Sequence, residues 1–179
     1  MTRLLGAVLA GGQSRRFGSD KALAELDHRP LIAHAAAALE SYVDTVAICG
    51  RIFPPYLPLQ DRPAPGLGPL GGLAAALRHA ADSDFDGVLS IGCDIPVLPA
   101  ALVEALVAGG APIAVRTLPI CGLWRASDAD RLDQHLAATD DRSMRGWLAA
   151  CGGTWFGGDI PLANINTPGD LASLIARRD

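Results

Sequence analysis

The sequence lacks any CxxC pair. Cys49, Cys93, Cys121 and Cys151 stand far apart, and His28, His34, His79 and His135 complete no zinc-binding spacing with them. Three of the four cysteines lie in apolar runs, which reads as buried free thiols in a reducing compartment. Long hydrophobic runs are missing too. The apolar stretch nearest the start, residues 4–10, is too short to span a membrane and has neither the h-region nor the cleavage site of a signal peptide. A cytoplasmic location without a membrane partner is therefore the expectation. Nor is positive charge in excess. With 15 Lys and Arg against 19 Asp and Glu, the formal net charge of −4 excludes a general attraction to nucleic acid or an anionic lipid surface. An anionic ligand must be held by a local cluster of cations. No GxSxG elbow occurs, and no His has an evident Ser or Cys partner nearby in sequence, so nucleophilic catalysis has little support. His34 and His79, in Ala-rich helical stretches, read as structural. Internal repeats and low-complexity tracts are absent.

What is present is a globular composition. Half of the 179 residues are hydrophobic, enough apolar surface to offset chain entropy in one domain with one core. Strands are expected at residues 4–9, 45–49, 87–92, 112–117, 120–124 and 154–156, with a short one near 57–59 inside the proline-rich loop 53–69. Helices are expected at 31–42, 70–81, 100–108, 128–138, 143–150 and 168–178, the first opened by Pro30. Strands alternating with helices predict an α/β fold: a three-layer α/β/α arrangement around a mostly parallel sheet. Ligands gather at the carboxyl ends of such strands, so the loops after Leu9, Cys49 and Gly92 should face one crevice.

The most informative segment is residues 9–21, LAGGQSRRFGSDK. Gly11 and Gly12 remove side chains where a ligand would approach and leave backbone N–H groups free to face phosphate oxygens. Arg15, Arg16 and Lys21 add three cations directly after a first strand, where a phosphate loop belongs. The spacing is not that of a Walker A loop. Residues 66–71, GLGPLG, satisfy GxGxxG nominally. They follow a proline-rich loop instead of a first strand, which argues against a dinucleotide fingerprint. Asp94, after the strand 87–92, is placed to bind Mg²⁺ bridging phosphates or to cap a turn; Asp61 carries the same two readings.

Residues 9–23, with GPLGG at 68–72, CDIP at 93–96, GLWR at 122–125 and NINTPGDL at 164–171, resemble the motifs of the molybdenum cofactor guanylyltransferases in order along nearly the whole chain. The resemblance implies a Rossmann-like nucleotidyltransferase fold. The implied reaction takes GTP and molybdopterin-bound molybdenum (or tungsten) to a guanine dinucleotide cofactor and pyrophosphate, with Mg²⁺. It also implies roles: the backbone of Leu9, Ala10, Gly11 and Gly12 cradles GTP, Lys21 contacts its phosphates and Asp61 helps hold the nucleoside. Asp94 would bind the metal, Arg16 is the catalytically important loop arginine, and Asn164 and Asn166 lie toward the acceptor. Transient contact with other proteins of cofactor synthesis or with its target enzymes fits such a role. The chain reads Cys49-Gly50-Arg51 where the family shows Asn before Arg, so a base contact must come from elsewhere.

The implied organisation is one nucleotidyltransferase domain over 1–179, with a nucleotide-binding half at about 1–98 and an acceptor-binding half at about 99–179. Two alternatives stay open: a cytidylyltransferase acting on molybdopterin or another phosphorylated acceptor, and a non-catalytic nucleotide- or cofactor-binding module. Arg125, Arg142 and Arg145 are scattered candidates for the second substrate and otherwise read as solvated surface.

Overall fold

The computed structural model describes residues 2–11, 20–165, 167, 169 and 170. The chain enters through strand β1 (Leu4–Leu9), then a 3₁₀ turn (Lys21–Leu23) and a small hairpin of β2 (Glu25–Leu26) and β3 (Arg29–Pro30). Helix α1 (Leu31–Glu40), β4 (Thr45–Cys49), β5 (Leu57–Leu59) and α2 (Pro69–Asp82) follow. Next come β6 (Gly87–Gly92), α3 (Ala100–Gly109), β7 (Ile113–Val115) and β8 (Leu118–Arg125). The run ends with α4 (Ala129–Ala138), α5 (Met144–Ala150) and β9 (Thr154–Phe156). The expected elements within the described residues are all present, with ends moved by a few residues. The expected helix at 168–178 lies largely outside them.

Among the described residues, seven strands form one sheet in the order β5-β4-β1-β6-β8-β7-β9. Only β8 runs against its neighbours; it pairs antiparallel with both β6 and β7. The period of two sends alternate side chains to opposite faces. Leu5, Ala7 and Leu9 of β1 join one core with Leu70, Leu73 and Leu77 of α2, Leu132 of α4 and Trp147 of α5. Val8 joins the other, with Ile32 and Leu39 of α1 and Leu102 and Leu106 of α3. Each of the three α2 leucines is fully buried, worth roughly 1.5–3 kcal/mol of hydrophobic transfer apiece. These faces make the three-layer α/β/α arrangement.

Helix α2 starts at Pro69, which needs no amide partner at a helix's first turn, after Gly68 at φ 67°. Its second glycine pair lets the helix press on the sheet: a Cβ on Gly72 would stand 3.0 Å from Cys49 Cβ and 3.2 Å from Leu9 Cδ2. Gly72, just past the GLGPLG string, thus serves close helix–sheet packing, whereas a Cβ on Gly71 would stand 3.0 Å from Leu67 Cβ in the preceding loop. The β2–β3 hairpin turns on Asp27 and His28, both at positive φ, and its Leu26 carbonyl accepts from His34 Nε2 at 2.7 Å. The His79 ring lies tilted against Phe85, their centroids 6.3 Å apart. No helix among the described residues is long and apolar enough to cross a membrane.

Candidate active site

The loops leaving β1, β4 and β6 meet at the carboxyl edge of the sheet. The Ala10 amide donates to the Cys49 carbonyl at 3.0 Å, and the Gly50 amide to the Leu59 carbonyl at 2.8 Å. Gly50 adopts φ 85°, and a Cβ there would lie 2.5 Å from Gly11 Cα. Main chain thus touches main chain. On the same spot sits Asp61: a Cβ on Gly11 would stand 2.7 Å from its Oδ2, and one on Gly50 3.1 Å from its Oδ1. Glycines wall this carboxylate. Its Oδ1 is buried and finds no hydrogen-bond partner among the described residues. Burial raises its pKa above the ordinary carboxylate value, with the Gly66 amide acting the other way. A cleft of about 430 Å³ opens beside it, bordered by Gly50, Arg51, Ile52, Leu59, Gln60 and Asp61.

Across the strand ends, Lys21 Nζ lies 2.7 Å from Asp94 Oδ2 in a largely shielded pair. Lys21 is the only lysine of the chain. It begins the 3₁₀ turn that Asp20 caps, Oδ1 accepting from the Ala22 amide at 3.2 Å. Arg51, from the loop after β4, grips both Asp20 oxygens at 2.8 and 3.2 Å and donates through Nε to the Ala10 carbonyl at 3.3 Å. The fork holds the Asp20 carboxyl below its usual pKa. Arg51 therefore fastens the return of the glycine loop to both neighbouring strand ends. Asp94 itself follows β6 in a turn closed by the Ile95 amide on the Gly92 carbonyl. The Ile165 amide donates to the Asp94 carbonyl at 3.0 Å, which brings the late Asn164 to the same place. Asn164 Oδ1 is buried and without a partner among the described residues. Burial pushes the neighbouring Cys93 thiol up to about 11, so it is a thiol and not a nucleophilic thiolate at neutral pH.

The structure thus gathers Leu9, Ala10, Gly11, Lys21, Asp61, Asp94 and Asn164 at one edge. Gly12, Arg15, Arg16 and Asn166 lie outside the described residues. Arg125 does not belong to this group: it pairs with Gly87 at the opposite end of β6. Asp20 and Arg51 are the members that single-residue reasoning passed over. Their signal, an acid just before the lysine and an arginine just after a strand, becomes visible only once the two loops are adjacent.

No trio of His, Cys, Asp or Glu that could hold a metal alone occurs among the described residues. The oxygens that the Ile165–Asp94 backbone bond brings into the same stretch of the fold are those of the Asp94 carboxylate and the orphaned Asn164 Oδ1. Such a set suits a hard cation completed by substrate phosphates and water.

Parallel strand ends carrying glycine-walled backbone and a shielded Lys–Asp pair beside a cleft are where an α/β sheet of this kind binds its ligand, and the class of protein is a nucleotidyltransferase. Residues 6–154 match the MobA-like NTP transferase domain, and the chain belongs to that family. The molybdenum cofactor guanylyltransferase of Rhodobacter capsulatus is 39% identical over 182 residues, covering 95% of this chain and 94% of its own. That of Cereibacter sphaeroides is 37% identical over 184 residues, with the same coverage. Among solved structures, the molybdopterin-guanine dinucleotide biosynthesis protein A of Archaeoglobus fulgidus superposes with a TM-score of 0.71 at 24% identity. That match covers 98% of this chain and all of the other.

Proposed function

We propose that this chain transfers GMP from GTP to the phosphate of molybdenum-bound molybdopterin, giving the guanine dinucleotide cofactor and pyrophosphate. The observation that carries the reading is the Lys21–Asp94 pair at the carboxyl end of β6, facing the glycine-walled edge of β1 and β4. The names of relatives at 39% and 37% identity agree with it. On this reading residues 1–98 hold the nucleotide and 99–179 the acceptor.

An oxygen of the acceptor phosphate attacks the α-phosphorus of GTP; the bond from that phosphorus to the bridging oxygen breaks, and pyrophosphate carries away the electron pair. A phosphate is already a competent nucleophile, so no general base is required. Lys21 offers its ammonium to the triphosphate, exchanging Asp94 for phosphate oxygens, and Arg16 adds charge from the loop. Backbone from Leu9 to Gly12 cradles the chain of phosphates. Asp94, with Asn164, would hold Mg²⁺, which when bound neutralises charge on the phosphates. Asn166 completes the acceptor side. Asp61 Oδ1, an acceptor lacking a donor among the described residues, would face the nucleoside. Guanine presents adjacent N1–H and N2–H donors on one edge, whereas cytosine presents a single amine next to an acceptor. That favours guanine over the cytidylyl alternative.

The test is pyrophosphate release from GTP, Mg²⁺ and molybdopterin. Wild-type enzyme is expected to release one pyrophosphate per dinucleotide formed. Asp94→Ala is expected to lose roughly 10²–10³-fold in kcat, the scale of removing one preorganised charge stabiliser. Release without dinucleotide, or an Asp94→Ala rate equal to wild type, would overturn the assignment.

A further inference from the structure

The carboxyl edge of the sheet continues beyond Asp94. Strands β6 and β7 both run against β8, so Arg116, just after β7, emerges at the same edge as Asp94. Its guanidinium carbon lies 5.8 Å from the centroid of the Trp155 ring, and that of Arg145 from α5 lies 5.2 Å from the same ring. Arg145 Nη2 donates to the Arg116 backbone carbonyl at 2.8 Å, which ties the Arg145 side chain to the end of β7 where Arg116 begins. Both arginines are exposed and Trp155 is half-buried.

Neither arginine has a carboxylate partner among the described residues. The cations that do, Lys21, Arg51, Arg62 and Arg78, each meet an aspartate. In a chain of net charge −4, two guanidiniums held on one indole without a carboxylate from the described residues repel each other. An anion between or upon them turns that repulsion into attraction, and guanidinium forks suit oxyanions. The indole adds a flat apolar wall against which a planar ring can lie.

Position supplies the rest. Strand β9 stands three strands from β6, on the order of 14 Å at the usual spacing. Residues 157–165 cross this interval from Phe156 to Ile165, whose amide is bonded to Asp94. Ile160 and Leu162 anchor the crossing on the core. An extended acceptor with its phosphate at Lys21 and Asp94 would reach Arg116 and Arg145 with its other end.

We propose that Arg116, Trp155 and Arg145 form a binding subsite for the anionic, metal-bearing dithiolene end of the acceptor, the Trp155 ring flanking its pterin. The proposal rests on the guanylyltransferase reading above. It is tested by steady-state kinetics of wild type and the Arg116→Ala/Arg145→Ala double variant, each with metal-bound and metal-free molybdopterin. The double variant is expected to raise KM for the metal-bound acceptor roughly 10-fold or more, with KM for GTP within about 2-fold of wild type. The metal-free acceptor is expected to shift less. An unchanged KM for the metal-bound acceptor overturns the subsite and leaves the guanylyltransferase reading standing. Equal shifts for both acceptors overturn the assignment to the metal-bearing end. A wild type that releases no pyrophosphate removes the reading itself, and the subsite with it. Should the double variant not fold, Arg145→Gln alone carries the same comparison.

Discussion

Gly50 occupies a place that no side chain can share. Its φ of 85° is left-handed, and an added Cβ would meet Gly11 Cα at 2.5 Å. For any L-residue the backbone conformation alone costs roughly 1–2 kcal/mol, and relieving the contact moves the glycine loop away from β4. Gly50→Ala is therefore expected to raise KM for GTP about 10-fold or more in the same assay, with the larger loss in kcat/KM. Asp61 is exposed to a different trade. Burial raises its folded pKa, so on raising pH the unfolded chain gives up this proton first. The stability it contributes is complete below the unfolded value, about 4, and is lost as pH climbs through the folded value. At neutral pH a buried oxygen without a partner among the described residues, Oδ1, is thus held at a cost. Asp61→Asn is expected to raise the unfolding midpoint of the free protein at pH 7 while weakening GTP binding about 10-fold, read by calorimetry at matched pH. A variant with lower midpoint and unchanged affinity would refute both halves. At this scale the glycines, Lys21 and Asp94 are legible in the sequence, because their residue types are rare together after a strand. The Arg51 grip on Asp20 is not, since it joins residues 31 apart through the meeting of two loops.

Among elements, the joint between β6 and β8 decides how the sheet is completed. It is the one place in the main sheet, with its β8–β7 counterpart, where direction reverses. Ser90 is buried there: its hydroxyl accepts from Trp124 Nε1 at 2.8 Å and donates to the Ile120 carbonyl at 2.7 Å. Ser90→Ala leaves a buried indole N–H and a carbonyl without this partner, a cost of roughly 1–3 kcal/mol. A denaturant titration should show that loss with an unchanged m-value, and a loss below a few tenths would mean that water replaces the hydroxyl. The strands themselves were readable from apolar runs bounded by turn residues. The direction of β8 was not, because an apolar run reads the same in either sense. The β2–β3 hairpin also escapes sequence reading. Each arm is two residues long, and the positive φ of its turn falls on Asp27 and His28 without a glycine to mark it.

For the whole molecule, one apolar core joins the proposed nucleotide and acceptor halves. It runs from Leu5 and Leu9 through α2 to Leu132, Trp147 and Cys151. A ligand that binds the first half is then expected to stabilise the second in the same cooperative transition. At 100 times its Kd a ligand adds about 2.7 kcal/mol to the folded state. For a chain of this length that corresponds to a rise of roughly 5–11 °C in Tm. GTP with Mg²⁺ is expected to give one unfolding transition moved by that amount, and CTP at the same concentration a clearly smaller shift. The difference depends on Asp61 alone in this account, so Asp61→Asn should bring the two shifts together. Equal shifts from GTP and CTP in the wild type would remove the guanine preference. They would leave the unpartnered Oδ1 beside Gly50 without a nucleobase to read, while the Lys21–Asp94 pair could still serve the triphosphate that both nucleotides share.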